Sequence, residues 1–263
     1  MVTGIIHAAI LVGVIGILIG LLLGFAGIKL AVPVDEKEIE VREFLPGNNC
    51  GGCGYAGCDA VAAAIAAGDA PVNACPVCSA DAIAKIGGVM GVEAEAAERK
   101  TAQVKCSGDC EHTSAKCNYV GIEDCRAAAL AGLNTGSCTF GCLGYGSCVK
   151  ACTYDAIHVV NGVAKVDTSK CVGCGMCAKA CPKGLIEVLR ADRTFVVQCS
   201  NKDRGPAVKK VCSAGCLGCG ACVKQCEHDA IHLEGNLAYI DYDKCVGCGK
   251  CAEKCPAKNI VRQ

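Results

Sequence analysis

From Gly4 to Ile28 the chain runs for 25 residues with His7 as its one polar side chain. That length of apolar sequence spans a bilayer with some tilt, so the pattern predicts a transmembrane helix, with residues 1–32 as a membrane anchor. Met1-Val2-Thr3 supplies none of the basic residues that open a signal peptide. The charges follow the helix, beginning with Lys29 and continuing through Asp35, Glu36, Lys37, Glu38, Arg42 and Glu43. Basic-residue bias then predicts a single pass of the cell inner membrane, with the rest of the chain on the cytoplasmic side. Gly16, Gly20 and Gly24 share one helical face. That face permits close approach of another membrane helix, or reflects the ordinary abundance of glycine in such helices. Residues 33–47 read as a charged linker. Beyond them the apolar runs are short and broken by Cys and Gly, so the fold class expected is α+β, in small modules. These are a four-cysteine domain over 48–92, a module over 93–190 with a Cys-rich upstream segment, and a second module over 191–263. Ala60 to Ala67 is expected to be a short helix with Asp59 as its N-cap.

Composition sharpens this picture. The chain has 27 cysteines and 33 glycines in 263 residues, with only 4 Phe, 6 Tyr and no Trp, so cysteine chemistry must supply what a large core would otherwise provide. The cysteine count is odd and no small-residue cleavage site follows the apolar run, which argues against a secreted disulfide framework. Zinc would favour separated Cys pairs or mixed Cys/His sets, and the 5 histidines are scattered. Balanced charge, 26 basic against 26 acidic residues, removes the basic field that nucleic-acid binding needs.

The spacing points to iron–sulfur ligands. Cys50, Cys53 and Cys58 lie in a Gly-rich loop with Cys75 seventeen residues on. Such a loop curls around an inorganic cube and turns amide N–H groups toward its sulfides. The second half is a tandem duplication at an offset of 74. Cys125, Cys138, Cys142, Cys148, Cys152, Cys171, Cys174, Cys177 and Cys181 map onto Cys199, Cys212, Cys216, Cys222, Cys226, Cys245, Cys248, Cys251 and Cys255. Each repeat carries C-x2-C-x2-C-x3-C-P, in which three cysteines hold one [4Fe–4S] cluster and the fourth crosses to its neighbour. The expected sets are Cys216, Cys219, Cys222 with Cys255; Cys245, Cys248, Cys251 with Cys226; and Cys171, Cys174, Cys177 with Cys152. The remaining set is irregular, because Tyr145 stands at the equivalent of Cys219. Cys138 is the expected substitute beside Cys142, Cys148 and Cys181; otherwise the site has three ligands. Cys106, Cys125, Cys199 and Cys212 are preferred for a sixth cluster, against inert buried thiols. Cys78, Cys110 and Cys117 have no assigned role.

A membrane helix, then C-x2-C-x4-C-x16-C, then tandem two-cluster modules resembles the B subunit of the Rnf complex, the ion-translocating ferredoxin:NAD oxidoreductase of bacteria. The likeness includes Asn49-Cys50-Gly-Gly-Cys53-Gly, Gly141-Cys142-Leu-Gly-Tyr145-Gly-Ser-Cys148 and Cys199-Ser200-Asn. The resemblance implies an electron-transfer subunit with five or six [4Fe–4S] clusters that takes low-potential electrons from soluble ferredoxin. It implies membrane and flavin-bearing partner subunits that reduce NAD while Na⁺ or H⁺ is moved. Flavin and nicotinamide then belong to those partners, in agreement with the lack of a strand–G-x-G-x-x-G–helix fingerprint here. No set of side chains stands out for acid–base or nucleophilic catalysis.

Six loaded clusters would add about 12 units of net negative charge, so a docking site for an acidic ferredoxin must be a local basic patch. Lys150, Lys209, Lys210, Lys224, Lys250 and Lys254 are the candidates, each equally readable as a solvated surface residue. His158 and His232 read as surface or satisfied strand histidines, and Tyr145 and Tyr154 as packing residues near the clusters.

Overall fold

A computed structural model describes residues 2–30, 35–93, 98–132 and 136–262. Helix α1 (Val2–Lys29) is long and apolar enough to cross a membrane. Its large side chains are exposed, from Ile5 to Ile28, and none of its glycines has an atom within 4 Å of where a Cβ would stand. Among the described residues nothing covers this apolar surface, as a bilayer-facing helix requires.

The expected linker gives way to a helix. Pro33, its expected start, lies outside the described residues, but α2 (Glu36–Phe44) follows directly, with the Asp35 carboxylate accepting from Lys37 N as N-cap. Its Val41, and Leu45 just beyond it, are buried against α3 (Cys58–Ala66) and α4 (Ala80–Met90) around Val61, Ile65 and Ile86. Three helices thus make one small core behind the Cys50 loop. The cap of α3 also differs from expectation. Gly57, at φ 136°, is the N-cap, and Asp59 sits in the first turn, ion-paired with Arg42 of α2. The first backbone N–H of the helix, that of Cys58, donates to Asn49 Oδ1 at 2.7 Å.

The two modules repeat one plan. In the first, β1 (Lys100–Val104) leads to α5 (Cys125–Leu130), α6 (Ser147–Lys150), the hairpin of β2 (Ile157–Val160) and β3 (Val163–Val166), α7 (Met176–Ala180) and β4 (Ile186–Arg190). In the second, β5 (Phe195–Val197) leads to α8 (Gly205–Val211), α9 (Ala221–Lys224), the hairpin of β6 (Ile231–Glu234) and β7 (Leu237–Ile240), α10 (Lys250–Glu253) and β8 (Ile260–Arg262). The first strand of each module pairs antiparallel with its last: Val104 faces Ile186 and Val197 faces Ile260. Cysteines fill much of each core, Cys148 and Cys177 around Ile157 and Ile186, Cys222 and Cys251 around Ile231 and Ile260. At the junction Arg190 reaches Asp243 at 3.9 Å and the Arg193 guanidinium lies 4.3 Å over the Tyr242 ring.

This register exposes a gap that the offset of 74 conceals. Ile186 and Ile260 keep that offset, yet their partners Val104 and Val197 are 93 apart, so the first module carries 19 inserted residues after its first strand. The structural equivalent of Cys199 is therefore Cys106, two residues after Val104. Cys125, matched to Cys199 by arithmetic, belongs to the insertion.

Candidate metal centres

Turns of the same shape deliver the ligand loops in both modules. Gly144 (φ 77°) and Gly218 (φ 62°) are equivalent, and a Cβ there would stand 2.7 Å from Gly162 O and 2.6 Å from Asn236 O, so each loop lies flat against its hairpin only with glycine.

In the first module Cys152, Cys171, Cys174 and Cys177 line one cavity. Burial, with the like charges of Cys171, Cys174 and Cys152 adding to it, pushes the Cys177 thiol up to about 11. A second cavity is lined by Cys142, Cys148, Cys181 and Cys125, not Cys138. Burial, then the charges of Cys142, Cys125 and Cys181, pushes Cys148 up to about 12. Tyr145 brings no sulfur to this position, and its ring packs on Tyr119, with centroids 5.2 Å apart, in a cluster with Leu143 and Ala128 of α5. That packing seats α5 so that Cys125, at its first turn, enters the cavity. The Cys125 N–H donates to Ser147 Oγ at 2.8 Å, and Ser147 Oγ donates to Asp124 Oδ2 at 2.7 Å. Asp124 in turn caps α5 through Arg126 N and Ala127 N.

Cys138 lies elsewhere. It lines a cavity between the modules with Cys106, Cys199 and Cys212, and Asn201 Nδ2 donates to its sulfur at 3.5 Å. Relative to expectation Cys125 and Cys138 have exchanged places. The reason is the insertion: it supplies a cysteine to the Tyr145 vacancy and leaves Cys138 to match its true repeat partner, Cys212. The inter-module site is two-fold in design. Each module gives one cysteine after its first strand and one four residues before its ligand loop, and Cys142 N donates to Cys106 Sγ (3.5 Å) as Cys216 N donates to Cys199 Sγ (3.2 Å).

The second module brings Cys216, Cys219, Cys222 and Cys255 around one cavity. Cys226, Cys245 and Cys251 share its core, and the charges of Cys245 and Cys248 add to the burial that raises the Cys251 thiol. In the N-terminal domain Cys58 and Cys75 are buried and Cys53 packs beside them, while the charges of Cys50 and Cys75 both reach Tyr154. Cys78 lies against Cys75. Its thiol hydrogen bond is the largest influence that holds Cys75 down to about 6, and Cys78 itself is pushed up by the same contact. Cys110 and Cys117 are exposed in the insertion.

Among the described residues no group of three or more His, Cys, Asp or Glu closes around a single ion. Four of the sets instead ring cavities, and several of the sulfurs accept amide hydrogen bonds. Beyond the pair above, Ala102 N donates to Cys171 (3.3 Å), Leu185 N to Cys181 (3.5 Å) and Ala230 N to Cys226 (3.4 Å). Buried thiolates that repel one another call for a cationic core among them, and amides aimed at sulfur suit an iron–sulfur cube. The donor sets fit that group.

Contacts join neighbouring sites, and the two sites within the first module share one core. The N-terminal domain abuts the first module at Cys174, where a Cβ on Gly52 would meet Cys174 O at 2.8 Å, and Lys179 Nζ and Tyr154 Oη bond to Gly51 O and Asn48. The amides of Cys142 and Cys216 then join the first module to the inter-module site and that site to the second.

Three family models match: Fe-S cluster at residues 45–77, 4Fe-4S binding domain at 164–187 and 4Fe-4S dicluster domain at 215–259. Over 262 residues the chain is 39% identical to the B subunit of the ion-translocating oxidoreductase complex of Methanosarcina acetivorans, covering 96% of this chain and 98% of that one. The chain belongs to the Rnf B-subunit family. It is 43% identical to the B subunit of the Na(+)-translocating ferredoxin:NAD(+) oxidoreductase complex of Acetobacterium woodii, over 89% of this chain and 71% of that one. It is 41% identical to the B subunit of the proton-translocating ferredoxin:NAD(+) oxidoreductase complex of Clostridium ljungdahlii, over 87% and 81%. As a member of the Rnf B-subunit family the chain is an iron–sulfur electron-transfer subunit of a redox complex. The residue that repeat arithmetic misplaced in this Rnf protein, Cys125, had a local signal: Asp124 before it and Ala127 to Ala129 after it form a capped helix start.

Proposed function

We propose that this chain is a six-cluster electron wire that takes electrons from reduced ferredoxin at its C-terminal end and delivers them through its N-terminal domain to membrane and flavin-bearing partners. The ligand sets, in spatial order, are Cys50, Cys53, Cys58 and Cys75; Cys152, Cys171, Cys174 and Cys177; Cys125, Cys142, Cys148 and Cys181; Cys106, Cys138, Cys199 and Cys212; Cys216, Cys219, Cys222 and Cys255; and Cys226, Cys245, Cys248 and Cys251. The observation that supports this reading is the series of cysteine groups in contact with one another, from the N-terminal domain to the second module. When bound, the clusters supply low-potential one-electron chemistry. The chain's own groups hold them by thiolate, offset their charge with amides, and exclude water by burial.

The two ends differ. Cys174 is half-buried under Gly52, whereas its equivalent Cys248 is exposed, with Val246 beside it 62% exposed. The position that meets a cluster-bearing domain in the first module is exposed in the second, and the exposed Lys244, Lys250 and Lys254 flank Cys248 in sequence. An acidic ferredoxin suits such a basic stretch. Lys150, by contrast, is engaged with Glu123 O, and Lys250 pairs with Glu227 at 2.6 Å. The opposite end follows the apolar helix in sequence, which suits a hand-over near membrane partners, and the basic-residue bias behind that helix supports a cytoplasmic cysteine-rich body. The relatives couple to Na⁺ or H⁺; that step lies in the partners.

Anaerobic iron and sulfide analysis should find about 24 of each per chain, with EPR of reduced [4Fe–4S] centres. Lys244→Glu with Lys254→Glu should slow reduction by ferredoxin and leave reduction by dithionite unchanged. A colourless, zinc-loaded protein would overturn the reading, and equal ferredoxin rates would overturn the docking face.

A further inference from the structure

The cavities at Cys125, Cys142, Cys148 and Cys181 and at Cys216, Cys219, Cys222 and Cys255 correspond at nine of their twelve wall positions at an offset of 74. Among those nine, one buried position differs: Leu185 in the first module and Asn259 in the second. The backbone around the two runs alike, apart from a bond from Leu185 N to Cys181 Sγ in the first. Leu185 O accepts from Lys105 N at 2.7 Å and Asn259 O accepts from Gln198 N at 2.8 Å, while the preceding residues, Gly184 and Lys258, both have positive φ, 60° and 51°. Leu185 is 2% exposed and Asn259 1% exposed. Among the described residues Asn259 Nδ2 has no hydrogen-bond partner, and its Oδ1 lies 3.5 Å from Cys255 Sγ, accepting the thiol proton.

A cluster-bound Cys255 has no proton to give. The carboxamide oxygen would then face a thiolate, acceptor against acceptor, at the same distance. The two ends of a carboxamide are nearly isosteric. A half-turn therefore brings the unpartnered NH₂ onto the sulfur and leaves an oxygen, the more tolerable of the two buried orphans, where the nitrogen was.

We propose that Asn259 is a potential-setting residue, its side-chain amide donating an N–H···S hydrogen bond to Cys255 and making that cluster easier to reduce than its twin beside Leu185. Reduction adds negative charge that spreads onto the sulfurs, so a donor aimed at sulfur stabilises the reduced state more than the oxidised one. The leucine side chain at the same place offers no donor, so that only the backbone N–H of Leu185 reaches Cys181 Sγ, at 3.5 Å. The inference rests on the six-cluster reading and makes the clusters of two equivalent cavities unequal in potential, so that the second-module site holds the electron more firmly.

The test is a potentiometric titration of the full-length, anaerobically prepared chain, followed by EPR and visible absorbance and resolved into one-electron components. Asn259→Leu should move one component to more negative potential, by a tenfold change in its reduced-to-oxidised ratio, or about 59 mV for one electron. The reciprocal Leu185→Asn should move another component positive, with four-iron occupancy retained. Full iron with no midpoint moved in either variant overturns the proposal. Should Asn259→Leu lose iron, Leu185→Asn decides, and loss of iron in both overturns it as well, because the position would then serve packing alone. Failure of the underlying wire would look different: the unmodified chain would lack iron and sulfide.

Discussion

Replacing Ser147 with alanine tests how Cys125 is held in place. Both residues are buried, and the serine oxygen accepts the Cys125 N–H at 2.8 Å while donating to Asp124. Alanine keeps the Cβ and removes the acceptor, which leaves the Cys125 amide buried without a partner at a cost of about 1–3 kcal/mol. Asp124 keeps its bonds to Arg126 N and Ala127 N, so nothing is added for it. A loss of about 2 kcal/mol multiplies the fraction of locally open sites by roughly 30. The assay is anaerobic transfer of iron to a chelator, followed by the bleaching of visible absorbance. One phase, carrying about one-sixth of the iron if six clusters are present, should accelerate by that factor while the other phases stay as they were. The second module has Ala221 at the equivalent position, where Cys219 already supplies the ligand, and Ala221→Ser should leave every phase unchanged. Unaltered release from Ser147→Ala with full iron content would refute the reasoning.

Three further outcomes are expected. Cys125→Ala should give a three-iron centre with an oxidised-state EPR signal of about one spin per chain, whereas Cys138→Ala should disturb the inter-module site and leave the Cys142 site with four irons. Gly52→Val should push the N-terminal domain away from Cys174, since a Cβ there stands 2.8 Å from Cys174 O; stopped-flow reduction should then show the N-terminal cluster filling last and slowly. Removing residues 1–30 should yield a soluble, brown, dithionite-reducible protein that no longer sediments with membranes, because the large side chains of α1 are exposed rather than packed on the body.

What could be read directly was local in sequence. The apolar run of α1 and the ligand spacings around Cys171 and Cys245 are set by neighbours within a few turns; Cys152, Cys171, Cys174 and Cys177 line one cavity, and Cys226, Cys245 and Cys251 share one core. The exchange of Cys125 and Cys138 was hidden because an offset of 74 matches cysteines without asking which strand precedes them. Only the pairing of Val104 with Ile186 and Val197 with Ile260 reveals the 19-residue insertion. Helix α2 was hidden for a different reason. Its sequence Glu-Lys-Glu-Ile-Glu-Val-Arg-Glu-Phe is dominated by charge, and the fold depends on the narrow stripe of Val41, Phe44 and Leu45 that meets α3 and α4. Asn259 looked like any polar residue near a chain end until its burial and its orphaned nitrogen were seen together.

The inter-module site takes two sulfurs from each half of the repeat, Cys106 and Cys138 from one and Cys199 and Cys212 from the other. On the proposed assignment this gives biosynthesis a fixed order. The N-terminal domain and the first module contain all their own ligands and can be metallated while the ribosome is still making the rest, but the central link cannot close before Cys212 has emerged and the second module has docked. A truncated or misfolded chain would therefore still be brown yet broken as a conductor at its midpoint. Electrical continuity from end to end becomes a report that the whole polypeptide has been made and correctly assembled.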